Sequence, residues 1–336
     1  MTGAAAPARG SAGAVTLAGI QAPVRARLDR VLPELQRVVA HDLPLIQQVS
    51  HHLMQQRGKL FRPTLTLLAS DVEGRGEDHA VTLSAAIELM HLATLVHDDS
   101  VDHSVLRRGL PTLNTVFSHE VSVIMGDFLY SRALGALVRL GNLTVVRIMT
   151  DVTAELAVGE MRQLGSLDTL GFTEEAYVKT VSAKTGSLLS AACETGSLFG
   201  AERHQEALAR YGDLLGIAFQ IKDDLLDYID DTSVTGKPSG LDLREHKVTL
   251  PLIGTLPRMS PAARARVDTL FAEKAPSDAL VAEVMGIVVE LGGLEHARQR
   301  GAHFAERAHD ALATLPDTPA RASLAGAIVY VMNRRS

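Results

Sequence analysis

Two segments repeat the order Asp-Asp-x-x-Asp: Asp98-Asp99-Ser100-Val101-Asp102 and Asp223-Asp224-Leu225-Leu226-Asp227. In each, the first and last carboxylates lie four residues apart, so a helix sets them one turn apart on one face. Like charges at that spacing disfavour a helix, yet both clusters adjoin apolar runs, Leu92 to Val96 and Phe219 to Ile221. Carboxylates crowded beside a core either hold protons or gather a cation. Hard oxygen ligands suit magnesium, above all where phosphate oxygens of a substrate complete its shell. One such cluster alone is equally well a solvated acidic helix face. The repeat of spacing and apolar flank favours two walls of a metal–diphosphate clamp, with Asp98, Asp99 and Asp102 facing Asp223, Asp224 and Asp227.

A diphosphate needs further positive charge, and basic residues collect near breaks in the helical pattern. Lys59 and Arg62 flank the Gly58 break. Arg107 and Arg108 follow the first cluster. Lys184-Thr185-Gly186 lies inside a helical stretch, Lys237 sits in Thr235-Gly236-Lys237-Pro238, and Lys247 closes a polar loop. Arginine offers phosphate a planar fork, whereas lysine is a compact point charge. Each would ordinarily be a surface residue, and their place beside the acidic clusters is what gives them weight. Gly236-Lys237 lacks the remaining spacing of a nucleotide phosphate loop.

These residues need a scaffold, and the composition indicates which. Apolar residues make up 46% of the 336-residue chain but aromatics only 4%, with no Trp. The core must therefore be Leu, Ala, Val and Ile, which favours helices. Apolar positions recur at three and four from Val24 to Val39, and helical stretches follow to residue 333. Residues 79–104 read as one helix ending in the first cluster, and 202–231 as another carrying the second. Long β alternation is absent. The expected organisation is a flexible leader over residues 1–18, rich in Ala, Gly and Pro, followed by a single all-α domain over 19–336, a helical bundle around a central cavity. A net charge of −6 argues against a nucleic-acid surface. The single Cys193 excludes an intrachain disulfide framework, and a cytoplasmic location is expected. No charge-free apolar run reaches eighteen residues, so no transmembrane segment is expected.

In this order the motifs resemble the all-trans polyprenyl synthetase family over nearly the whole chain after the leader. The resemblance is carried by Gly58-Lys59-Leu60-Phe61-Arg62-Pro63, Leu95 to Asp102, Arg107-Arg108-Gly109-Leu110-Pro111-Thr112 and Met125-Gly126-Asp127. It continues through Gly159-Glu160-Met161-Arg162-Gln163, Lys184-Thr185-Gly186, Phe219 to Asp227, Gly236-Lys237-Pro238 and Lys247 to Pro251. Members usually carry two glycines before the first lysine, where this chain has Arg57-Gly58. The resemblance implies an isoprenoid synthase-type helical bundle, usually a homodimer, that joins an allylic prenyl diphosphate to isopentenyl diphosphate with Mg2+. It assigns Asp98, Asp102 and Asp223 to the metal, with Asp99, Asp224 and Asp227 as ligands or supports. Arg107, Lys184, Thr185, Gln220, Lys237 and Lys247 would hold the allylic diphosphate. Lys59, Arg62, His91 and Arg108 would hold isopentenyl diphosphate; from the sequence alone His91 is a core or capping histidine. Product release would involve at most a peripheral membrane contact.

Product length should depend on the helix before Asp98. Side chains four and seven residues apart share a face, which aligns Thr94, Ala93, Met90 and Ile87 beneath the cluster. In the family, a bulky aromatic near Ala93 or Thr94 closes the pocket for short products. Here both are small, and Met90 or Ile87 would form a floor roughly 12 to 16 Å from Asp98. A product longer than fifteen carbons is expected. Geranylgeranyl diphosphate synthase is the nearest alternative. A non-catalytic partner subunit should have lost an aspartate cluster or several basic residues, and this chain keeps them. A terpene cyclase would not need the Gly58–Pro63 and Arg107-Arg108 motifs for a second diphosphate.

Overall fold

A computed structural model describes residues 15–55, 58–164, 171–229 and 240–334. Among these the architecture is all-α. In chain order the helices are α1 (Leu17–Gln21), α2 (Arg25–Val39), α3 (Pro44–Gln55), α4 (Phe61–Ser70), α5 (His79–Val101), α6 (Leu113–Val116), α7 (His119–Arg139) and α8 (Leu143–Leu164). They continue as α9 (Glu174–Val181), α10 (Ser187–Ser197), α11 (Gln205–Ile229), α12 (Leu241–Arg244), α13 (Leu250–Ile253), α14 (Pro261–Ala272), α15 (Asp278–Glu290), α16 (Gly293–Ala311) and α17 (Pro319–Asn333). A π-helical turn, Ser182–Gly186, joins α9 to α10.

Helix α5 is the centre of the bundle. It packs most extensively on α7, and also on α2, α4 and α10. Its sequence is apolar nearly all round, as a helix covered on every side requires. Helix α11 lies against α10 and α16, so α5 and α11 carry the two aspartate clusters from one shared core. Gly126 lies within α7 where the His97 ring of α5 packs against it, in the space that a Cβ would fill. A smaller satellite core of Tyr228, Leu243, Val267, Leu270, Val281 and Val284 lies under α12, α14 and α15.

Several elements differ from the sequence expectation. Thr16 caps α1 by accepting from the Gly19 amide, so helix begins inside the stretch read as leader; residues 1–14 lie outside the described ones. The helical stretch expected around Lys184-Thr185-Gly186 contains the π turn. After α5 comes a hairpin of two short strands, β1 (Leu106–Arg107) paired with β2 (Leu110–Pro111). Its loop residues Arg108 and Gly109 both have positive φ, 51° and 76°, as a type I′ turn requires.

Among the described residues two helices, α5 and α7, are long and apolar enough to cross a membrane by length and composition, although each carries isolated charges that break the charge-free run. Both have a mean hydropathy of 1.4, but 72% of the α5 window is buried inside the bundle against 39% for α7. Core position accounts for the apolarity of α5. Helix α7 keeps an apolar outer face, including Val123, Ile124 and Val138.

Candidate active site

The first cluster ends α5, with Asp102 at its C-cap. This is the negative end of the helix dipole, so these carboxylates depend on cations supplied from elsewhere. The hairpin supplies one. It folds back so that Arg107 Nε donates to both oxygens of the buried Asp99, at 2.9 and 2.8 Å. Thr112 Oγ1 and Asn114 Nδ2 donate to the Ser104 carbonyl at 2.6 and 3.0 Å and hold the hairpin on the helix end. Asp99 is thereby occupied. The turn also presents Arg108, whose guanidinium lies 2.9 Å from where a Cβ on Gly58 would stand. A side chain at residue 58 would push that guanidinium away.

Asp98 is held differently. Burial first, then the neighbouring Glu160 carboxylate, push its pKa up to about 6 against the pull of Lys184. Lys184 is the second cation. It leaves the π turn and pairs with Glu160 at 2.5 Å, passing close over Gly159. Glu160 stands in the Gly159–Gln163 motif, but spacing alone gives it no role.

In the second cluster all three carboxylates have partners within the protein. Asp224 is buried and accepts from Tyr177 Oη at 2.6 Å and from Gln220 Nε2 at 2.9 Å. Thr185 Oγ1 donates to Gln220 Oε1 at 3.2 Å, so one chain of hydrogen bonds runs from the π turn to α11. Asp227 caps α12, accepting from the Leu241 and Asp242 amides at 3.0 and 3.1 Å. Burial and then the Asp224 and Asp227 charges push Asp242 up, making it a further acid of the site that sequence reasoning misses. Asp223 meets the Arg334 guanidinium, which stacks 3.8 Å over the Phe219 ring. Lys247 pairs with Glu245 at 2.6 Å. Burial acts to lower its pKa, but Glu245, Asp242 and Asp102 outweigh that and raise it. Lys247 therefore lies in the field of residues from both walls.

The candidates for a second diphosphate also gather. Arg62, His91 and Arg108 lie within one another's fields. Burial, then Arg62 and Arg108, hold His91 well below the usual imidazole range, so it is neutral and can donate one N–H. Glu88, 5% exposed on α5, is the acid between these arginines. Sequence reasoning misses it, although it is the single acid in the run from Ala80 to His97. Lys59 is exposed. Lys237 lies outside the described residues.

The expected trough is closed by packing. Ile87, Ala93 and Met90 are 0%, 2% and 3% exposed. Thr94 is half-buried, and its hydroxyl donates to the His91 carbonyl. The chain expected to lie along this face would have to open this packing, and Met90 is the most adaptable side chain in it.

Among the described residues no three His, Cys, Asp or Glu side chains form a ready metal cage. The donor set still fits magnesium. Asp98 is a desolvated carboxylate beside a second acid, Asp102 is exposed, and substrate oxygens and water commonly complete such a shell.

The polyprenyl synthetase family profile matches residues 43–288. The chain is 39% identical over 287 residues to octaprenyl diphosphate synthase of Escherichia coli (strain K12), covering 85% of this chain and 88% of that one. It is 38% identical over 286 residues to nonaprenyl diphosphate synthase of Mycobacterium tuberculosis, covering 84% and 85%. Polyprenyl synthase from Caulobacter crescentus CB15, solved with calcium and isoprenyl diphosphate, superposes with a TM-score of 0.90 at 32% identity, covering 96% and 98%. Decaprenyl diphosphate synthase from Rhodobacter capsulatus gives 0.89 at 36% identity, covering 94% and 98%.

Proposed function

The chain belongs to the polyprenyl synthetase family of trans-prenyltransferases, and from that premise we propose that it condenses an allylic diphosphate with isopentenyl diphosphate to a polyprenyl diphosphate of twenty carbons or more. The observation that carries this reading is Lys247, close enough to interact with Asp102 of the first cluster and with Asp224 and Asp227 of the second, together with Lys184 paired to Glu160 beside Asp98. Two cations and two carboxylate walls suit a diphosphate leaving group. Magnesium, when held by Asp98, Asp102 and Asp223, would neutralise charge on that group.

Lys184, Lys247 and Arg107 would hold the allylic diphosphate as its C–O bond breaks, which aims fixed positive charge at developing negative charge. Arg62, Arg108 and neutral His91 would hold isopentenyl diphosphate so that its double bond meets the allylic cation. Ala93 and Met90 would wall that space with apolar atoms and keep water from quenching the cation. The released diphosphate is a suitable base for the proton that is lost. The small Ala93 and Thr94, together with octaprenyl and nonaprenyl relatives, support a long product.

The test combines purified protein, magnesium, isopentenyl diphosphate and allylic primers of ten, fifteen and twenty carbons. A ladder ending beyond fifteen carbons is expected. No condensation with any primer would sink the reading and favour a silent partner subunit.

The outer face of α7 supports a homodimer, because a helix as apolar as α5 is left more than half uncovered. Sedimentation velocity should give twice the 35.9 kDa chain mass, and a monomer at micromolar concentration would count against it. A cytoplasmic location, with peripheral membrane contact on product release, fits the buried Cys193 thiol and the lipid product.

A further inference from the structure

The π turn Ser182–Gly186 is the one interruption in a helical run from Glu174 to Ser197, and it carries Lys184 and Thr185. Its signature is the Ser187 amide donating five residues back to the Ser182 carbonyl. One extra residue in a turn rotates everything beyond it, and such turns survive only when their surroundings hold them. Here the holder is one stripe of α11. Gly216 meets the backbone of Gly186 and Thr185, and Gly212 meets Leu189 and Ser190. Gln220 accepts from Thr185 Oγ1. Asp213, on the same stripe, accepts from Ser182 Oγ at 2.7 Å. Its carboxylate occupies the space that a Cβ on Gly186 would fill.

Asp213 is well placed to hold rather than to react. With Ser182, Arg307, Phe304, Ile217 and Val178 it lines a cavity of about 340 Å³, to which neither aspartate cluster contributes. Burial pushes its pKa up, while the Ser182 hydroxyl and then Arg307 pull it back.

We propose that Asp213 is a positioning residue: through Ser182 Oγ it locks the π register that keeps Lys184 beside Glu160 and Asp98 and Thr185 on Gln220, and so sets affinity for the allylic diphosphate. This rests on the prenyltransferase reading for the substrate, but the lock itself can be tested without turnover. In the resting protein, amide hydrogen exchange over residues 182–187 should quicken about tenfold in Asp213→Ala and in Ser182→Ala, the scale of one lost hydrogen bond to a charged group. Unchanged exchange in both overturns the lock whatever the enzyme makes.

In the assay both variants should raise the KM for the allylic substrate, and the Ki of inorganic diphosphate competing with it, about tenfold, with the KM for isopentenyl diphosphate within about twofold. Asp213→Asn keeps an acceptor oxygen for Ser182 and should restore the allylic KM to within about threefold. An Asn variant as impaired as Ala, or equal losses for both substrates, overturns the proposal. The double variant should match the single ones, and additive losses would place the two residues in separate roles. Ser182→Ala removes only a hydroxyl, so the test stands even where Asp213→Ala fails to fold.

Discussion

Asp98→Asn should cut turnover by about a thousandfold or more while raising the melting point of the metal-free protein. The two effects share one cause. Burial and Glu160 push the Asp98 carboxyl up to about 6, so the folded protein holds this charge at a cost. The sign follows from linkage. A carboxyl raised in the folded state favours folding below its unfolded pKa, and that contribution is lost as pH rises through the folded value. For Asp98 the window runs from the ordinary carboxylate range to about pH 6. Above it, the neutral amide removes a penalty of about 2 kcal/mol after allowance for partial screening. Calorimetry of metal-free wild type and variant at pH 8 should show the variant melting a few degrees higher. At pH 4, where Asp98 is largely protonated in the folded protein, the two should nearly converge. Added magnesium should raise the wild-type midpoint and leave the variant nearly unmoved. A variant with normal turnover, or a wild-type midpoint that magnesium leaves unmoved, would overturn the metal assignment, and a lower variant midpoint at pH 8 would overturn the charge penalty.

Ala93→Phe should shorten the product by at least about one isoprene unit, since a Phe side chain extends about one helical turn across the path. Ala93 precedes Asp98 by roughly 7.5 Å of rise along α5. It is 2% exposed and shares the covered side of the helix with Met90 and Ile87, so a ring there must enter the same packing that a growing chain has to open. Filling a packed core with a larger side chain costs about 1–3 kcal/mol, and the melting point must be measured beside the product. Chromatography of the chain-length distribution decides the matter. A stable, active variant with an unchanged distribution rules out a trough along this face of α5.

Much of the site is legible in the sequence because its chemistry lies in short motifs on helices. Spacing brings out the two clusters, Asp98 to Asp102 and Asp223 to Asp227, and the apolar periodicity gives the helices that carry them; the choice of Asp98, Asp102 and Asp223 among the six comes from the family resemblance. Spacing does not say which carboxylates the protein itself uses. Asp224 is engaged by Tyr177 from 47 residues away, and Asp227 by the first amides of α12. These partners come together only through tertiary packing. Glu88 is within reach of sequence reading, since a lone acid in an apolar helix needs a buried partner. The π turn is not. The residues packed against it, Gly212, Asp213, Gly216 and Gln220, lie on a different helix, α11, and nothing in Ser182–Gly186 alone distinguishes a π turn from an ordinary helical one.

The stack of Arg334 on Phe219 has a spectroscopic consequence. The sequence has no Trp, so Phe219→Trp would introduce the sole indole, with the guanidinium that meets Asp223 lying over its face. Its emission would follow whether Arg334 stays on Asp223 or yields that carboxylate to a bound cation, and would turn loading of the second wall into an optical titration.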